Sequence, residues 1–311
     1  MNIIELDNLY QQSIKTFPVE DVYGTYKKPF TLIKLENLVA INHLDLKTIG
    51  FFLYDGKPYM PAPTDIIQFA TTGGDGCYFA FLTDYGYYEN LEEAPIVFIC
   101  PADFDERYPY HANKLFAKNI RDFLRIMITM QYAEIVRFKN LIDMDFEYEI
   151  NIMKADIESN SNEEEIIMRN KTIEILKSEF QLNEFDNLND YYTILDLERK
   201  KENYINLKDG LGIKTLTANH TFGNDFSVIS TLEESLSKAS KLERVKFYRE
   251  APYIHHYFSD EYQMVTLLIA KYLYLDGFIR ESKILNFELE QNIKSKKYLG
   301  ARKVMLEKSK N

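Results

Sequence analysis

Between Asp65 and Asp84 the chain runs through Gly73-Gly74-Asp75-Gly76 straight into Cys77-Tyr78-Phe79-Ala80-Phe81-Leu82. Three of its twelve glycines sit in that four-residue turn. Glycine supplies the positive φ that a tight reversal needs. The six residues after it present no polar face to water, so they predict a strand covered on both sides. A chain with such a strand must also supply the cover.

A second buried strand is predicted at Pro95 to Cys100, ended by Pro101 and the acidic loop Asp103-Phe104-Asp105-Glu106. Ile49 to Tyr54 followed by Asp55-Gly56 gives a strand and hairpin signal, since Asp-Gly tolerates positive φ. Phe30 to Ile33 and Leu38 to Ile41 read as short strands, and Leu6, Leu9, Tyr10 and Ile14 recur near helical spacing. Pro61 and Pro63 break the chain, after which Thr64 or Asp65 is placed to cap a helical turn through Phe69.

From Leu115 the period changes. Phe116, Ile120, Phe123, Leu124, Met127 and Ile128 lie on one stripe of a long amphipathic helix, the expected cover for the sheet. Asn151 to Asn162 is polar enough to be a linker, and the rest reads as helical. Ser161 with Glu164 and Thr231 with Glu234 match the capping box. Ile166, Ile173, Leu176 and Phe180 stripe one of these helices, and Leu232, Leu236, Ala239 and Leu242 another. Met264 to Leu275 is apolar nearly all round, closed by Gly277. With 23 Tyr, 21 Phe and no Trp, much of the core volume must come from these aromatics. The expected fold is α+β: a twisted, mostly antiparallel sheet with covering helices over 1–145, then a mainly helical domain over 146–311.

The strand with its glycine turn, the strand Ile96 to Cys100 and the helix carrying Asn119-Ile120-Arg121-Asp122-Phe123-Leu124 together resemble the SUKH superfamily over roughly residues 1–140. There a Gly-and-acid turn precedes a core strand, and a helix opening on a phrase like this one closes the domain. Asn119 stands where that family usually has Ser or Thr. The resemblance implies a non-enzymatic α+β binding domain, often an immunity protein that neutralises a bacterial toxin by sitting on it.

Charge is consistent with that implication. Residues 51–113 carry ten acids against two bases, a net of −8, and residues 293–311 seven bases against one acid, a net of +6. An acidic surface would attract a basic toxin domain. Asp75, Asp84, Asp103, Asp105 and Glu106, interleaved with Tyr85, Tyr87 and Tyr108, are the expected partner-binding residues, tyrosines giving anchor area at low entropic cost. Tyr88 and Tyr110 lie in the same stretch. An overall charge of −11 argues against general nucleic-acid binding.

The alternative from a different class is a metal-dependent hydrolase using Asp103, Asp105 and His111, weighed against a solvated acidic loop with a surface histidine. No cofactor is expected. The glycine turn lacks the Lys-Ser/Thr of a phosphate loop. Cys77 and Cys100 are expected as small core residues of a reducing compartment. His255-His256, read as part of a strand, would point to opposite faces. The N-terminal acids and the lack of a long apolar run point to a cytoplasmic protein with no membrane span. The basic tail, Lys294 to Lys310, is expected to be a solvated end. Partner identity and oligomeric state are not written in the sequence.

Overall fold

The computed structural model describes residues 23–54, 62–73, 75–133, 135, 146–201, 204–216, 222–255, 259, 261–287 and 289. The expected helix near Leu6, the Asp55-Gly56 turn, His256 and the basic tail lie outside them. The fold is α+β, built as two compact units, Thr25–Thr221 and Met1–Gly24 with Phe222–Asn311.

The larger unit is built on a five-stranded antiparallel meander in which every strand pairs with the next in sequence. Its strands are β1 (Phe52–Leu53), β2 (Ile66–Thr71), β3 (Tyr78–Leu82), β4 (Ile96–Ile99) and β5 (Asn113–Ala117). Every residue of β3 and β4 is buried, as their apolar sequences require. Helix α1 (Phe30–Ala40) precedes the sheet and α2 (Ile120–Met130) follows it.

On one face Phe123 of α2 lies 5.0 to 5.8 Å, ring to ring, from Phe51, Phe69, Phe79 and Phe116. Fully burying one such ring is worth about 1.5–3 kcal/mol. A bulge between Gln68 and Ala70 shifts the β2–β3 register and leaves Phe69 without a strand partner. On the opposite face Tyr78, Ala80, Leu82, Val97 and Ile99 pack with Ala62 and Leu211. Cys77 and Cys100, flanking these strands, are buried and not joined in a disulfide.

Helices α3 (Phe146–Asn160), α4 (Glu163–Phe180) and α5 (Leu188–Lys200) continue the same unit, followed by the small hairpin β6 (Tyr204–Ile205) and β7 (Ile213–Lys214). The α4–α5 connection is fastened to α2. Arg121 donates to Gln181 O at 2.8 Å, Phe185 N to Thr129 Oγ1 at 2.9 Å, and the Arg125 guanidinium lies 3.8 Å over the Phe185 ring. The 145/146 boundary read from sequence coincides with neither break between the compact units, because α4 packs on α2, Arg199 of α5 pairs with Asp84, and α3 packs on α5.

In the second unit α6 (Ile229–Lys238), α7 (Lys241–Ile254) and α8 (Glu261–Leu275) are followed by helical residues 279–287. Arg244 Nε and the Tyr248 hydroxyl both donate to Asp276 Oδ2, at 2.9 and 2.7 Å, joining α7 to the turn after α8. No helix among the described residues is long and apolar enough to cross a membrane.

Several local expectations change. Phe30–Ala40 is one helix burying Leu32, Leu35 and Leu38, whose spacing outweighs its β-branched residues. Ile66–Thr71 is a strand, its backbone bonds completed by β1 and β3. Leu115 and Phe116 belong to β5, and α2 begins only after Asn119, whose side chain accepts from Asp122 N at 2.9 Å. Such a cap is worth about 1 kcal/mol. The expected linker is the helix α3. The first capping box forms one residue on, at Asn162 with Glu165; Thr231 lies inside α6, whose N-cap Val228 has no side-chain bond, and a box forms instead on the next helix, at Ser240 with Glu243. Met264, Tyr274 and Leu275, at the ends of the stretch that is apolar nearly all round, are exposed. His255 ends helix α7 and bonds Phe226 O instead of standing in a strand.

Candidate functional site

The expected acidic and tyrosine residues divide between opposite ends of the sheet. Asp84 to Tyr88 follow β3, whereas Asp103 to His111 follow β4, and those strands are antiparallel. The two groups are separated by the length of β3, roughly 14 Å at about 3.4 Å per residue. Asp75, in the β2–β3 turn, belongs with the second group.

At the first end Asp84, Tyr85 and Gly86 all have positive φ, +46, +52 and +87. A left-handed turn costs a non-glycine residue about 1–2 kcal/mol, so it persists only where surroundings hold it. Here they do. Arg199 of α5 donates to both Asp84 carboxylate oxygens, one at 2.8 Å, and the Tyr85 hydroxyl bonds Thr64 Oγ1 at 2.7 Å. The guanidinium also donates to Leu211 O at 3.1 Å and Gly212 O at 3.0 Å. Asp209 shapes that last turn by accepting from the amides of Leu211 and Gly212.

Both side chains of the Asp84–Arg199 pair are sealed from solvent, 0% and 4% exposed. Asp84 and Tyr85 are therefore internal fasteners and do not form the expected partner surface. Tyr87 remains exposed, edge-on to Tyr88 at 4.9 Å. Burial pushes the Tyr88 hydroxyl up to about 12.

The second end is more open. Two single 3-10 turns, Pro101–Asp103 and Pro109–His111, each begin on proline, whose fixed φ suits that position. They carry an aromatic group in which His111 stacks on Tyr108 at 5.5 Å and meets Tyr110 edge-on at 4.6 Å. Gly210 backs this group: a Cβ there would come within 2.7 Å of the Tyr110 Cβ. Tyr108 is 47% exposed. Asp75 is exposed, while Asp103, Asp105 and Glu106 are half-buried.

Asp105 does not stand alone. Arg107 donates to it through its backbone N at 2.9 Å, Nε at 3.1 Å and Nη2 at 2.8 Å. Those bonds hold the Asp105 carboxyl down to about 2. One of the three expected acids of this loop is thus offset by its own arginine.

Asp103, Asp105 and His111 are not assembled as ligands. Among the described residues no group of three or more His, Cys, Asp or Glu is placed to hold a metal ion. The glycine turn is likewise closed on itself: Thr71 Oγ1 accepts from Gly73 N at 3.1 Å, and Cys77 O from Thr72 N at 3.2 Å. A Cβ at Gly73, whose φ is +82, would fall 2.7 Å from the Phe52 ring, so its glycine serves packing.

Arg199 was not among the sequence candidates, although a signal existed. Leu188, Leu195 and Arg199 share the buried stripe of α5, and an arginine on such a stripe needs an internal acceptor. Neither the protein-family models, nor the curated proteins, nor the solved structures contain a match to this chain.

Proposed function

We propose that this chain is a non-enzymatic cytoplasmic binding protein of the immunity type implied by its SUKH resemblance, neutralising a basic toxin domain by occlusion. The binding surface is the end of the sheet formed by Asp75 and the 100–112 connection. The observation that carries this reading is the Tyr108–His111–Tyr110 stack, fixed on proline-led turns with Tyr108 open to solvent. A rigid aromatic anchor with an acidic border suits a cationic protein surface, because the rings supply contact area and the carboxylates guide the encounter.

Affinity for the cognate basic domain, titrated calorimetrically at low and physiological salt, tests the assignment. Tyr108→Ala is expected to weaken binding by about tenfold or more, and Asp103→Lys to weaken it and flatten its salt dependence. Tyr87→Ala, at the far end of the sheet, should leave affinity unchanged. Equal losses from Tyr87→Ala and Tyr108→Ala, or none from either, would refute this surface.

A further inference from the structure

Cys77 stands between the glycine turn and β3, and Cys100 between β4 and the turn Pro101–Asp103. The β3–β4 ladder fixes how they face each other. Within it Phe81 stands opposite Ile96 and Tyr78 opposite Ile99, with no register shift between them. One residue further on, Cys77 stands opposite Cys100. Each is still held in the sheet from its outer side, since Cys77 O accepts from Thr72 N at 3.2 Å and Cys100 N donates to Ala112 O at 2.9 Å.

Opposed residues of an antiparallel pair alternate between those that exchange backbone hydrogen bonds and those that do not, and the second kind sits closer, with Cα atoms about 4.5 Å apart. Leu82 N donates to Pro95 O at 2.8 Å, which marks that opposed pair as hydrogen-bonded. Counting along the register, Tyr78–Ile99 is hydrogen-bonded too, while Phe79–Phe98 and Cys77–Cys100 are of the close kind. The Phe79 and Phe98 rings meet at 5.2 Å, in keeping with that spacing. Cys77 and Cys100 share their face of the sheet, so two thiols stand where the next pair along has two rings. A Cα separation of about 4.5 Å lies inside the roughly 4.4–6.8 Å that a disulfide spans.

We propose that Cys77 and Cys100 are a redox-active dithiol that hydrogen peroxide converts into a cross-strand disulfide. Cys77 attacks first, as its thiolate, because it adjoins the turn in which Gly73 and Asp75 are exposed, whereas Cys100 is 0% exposed. Both thiols are shut in by their surroundings, so entry of the peroxide takes a local opening of that turn while the strands stay paired. The O–O bond breaks: one oxygen stays on the Cys77 sulfur as a sulfenic acid, and the other leaves as water with the thiol proton. The Cys100 sulfur then bonds to the Cys77 sulfur, the S–O bond breaks, and a second water leaves with the Cys100 proton. Two electrons pass from the thiols to the peroxide, and the strand register stays as it is. The bond ties the turn carrying Asp75 to the start of the 100–112 connection, yet its chemistry and its test do not depend on the toxin-binding reading.

The full chain in native buffer is treated with a small excess of hydrogen peroxide and quenched, its remaining thiols are alkylated in urea, and it is cut with a glutamate-specific protease. Glu89, Glu92 and Glu93 lie between the two cysteines, so these part into separate peptides unless they are bonded. The expected product is one linked pair of peptides, lighter than their sum by two hydrogens, from a chain that stays a single chain on a non-reducing gel. Dithiothreitol should return both thiols to alkylation. Cys100→Ala should instead leave a sulfenic acid at Cys77 that dimedone traps, and in Cys77→Ala the remaining thiol should react about tenfold more slowly. In wild type the link should form faster than the chain unfolds in the same buffer. Thiols that both stay open to alkylation, a link that appears only at the unfolding rate, or a link between chains instead of within one would overturn the proposal.

Discussion

Asp84 and Asp105 each receive an arginine fork, yet the two pairs do different physical work. The Asp84–Arg199 pair joins residues 115 apart in sequence and is closed to solvent. The Asp105–Arg107 pair joins residues two apart, with side chains 33% and 79% exposed. In the first, the surrounding protein cannot replace either partner, so loss of one leaves the other charged in a low-dielectric interior. In the second, water stands ready to solvate both. The same side-chain chemistry is a fastener at one end of the sheet and a local shaping device at the other.

The comparison can be broken most directly at the buried pair. Asp84→Asn and Arg199→Met should each destabilise the larger unit by about 3–5 kcal/mol, read from urea midpoints. Asn tolerates the left-handed φ at position 84, so backbone strain does not confound the first change. The double variant should lose clearly less than the two single losses combined. Additive losses would mean that the fork contributes nothing as a pair.

An intermediate case sharpens the trend. Asp276, which accepts from Arg244 and Tyr248, is buried, while Arg244 keeps some solvent contact with a side chain 16% exposed. Asp276→Asn should cost about 1.5–3 kcal/mol, the range for bonds to a charged group. A loss as large as that at Asp84 would show that burial does not set the scale.

The smallest effect is expected at Arg107. Arg107→Ala should leave the urea midpoint unchanged within error. It should instead move the Asp105 carboxyl, followed by NMR titration, from about 2 back towards its ordinary 3.8. Because the folded value is depressed, whatever stability the pair gives is complete above pH 3.8 and disappears as pH falls through 2. Arg107→Ala should therefore remove that small contribution above pH 3.8, flatten the pH dependence of stability between 3.8 and 2, and make no difference below 2.

These residues also show what sequence can disclose. β3 and β4 were legible because they are buried on both faces, and no face-to-face choice remained to be made. Phe123 could be placed on a covering stripe before its ring contacts were known. β2 was obscured by prolines and a capping residue just ahead of it, and only pairing with β1 and β3 decides its conformation. β5 was absorbed into the helix because Phe116 happens to stand four residues before Ile120. The helix α3 looked like a linker, since it buries only Phe146 and Ile150 and shows polar residues elsewhere.

The candidate site was half legible. Asp105 and Tyr108 keep their character because Arg107 and His111, which touch them, are local. Asp84 changes role because its partner, Arg199, enters from another helix, and an aspartate at the end of a strand carries no mark of that.

The meander and the division of the chain have a consequence for biosynthesis. In the larger unit each strand meets a partner made moments before, so pairing demands no long loop closure. The smaller unit includes Met1–Gly24 together with Phe222–Asn311, and at Gly24 a Cβ would stand 3.1 Å from the Cβ of Arg280. At about 5–20 residues per second, a ribosome needs roughly 10–50 s to travel from one to the other. Gly24 thus waits through synthesis of the whole larger unit before Arg280, its neighbour in the smaller one, is made, and a chaperone that holds nascent chain would have its longest opportunity in that interval.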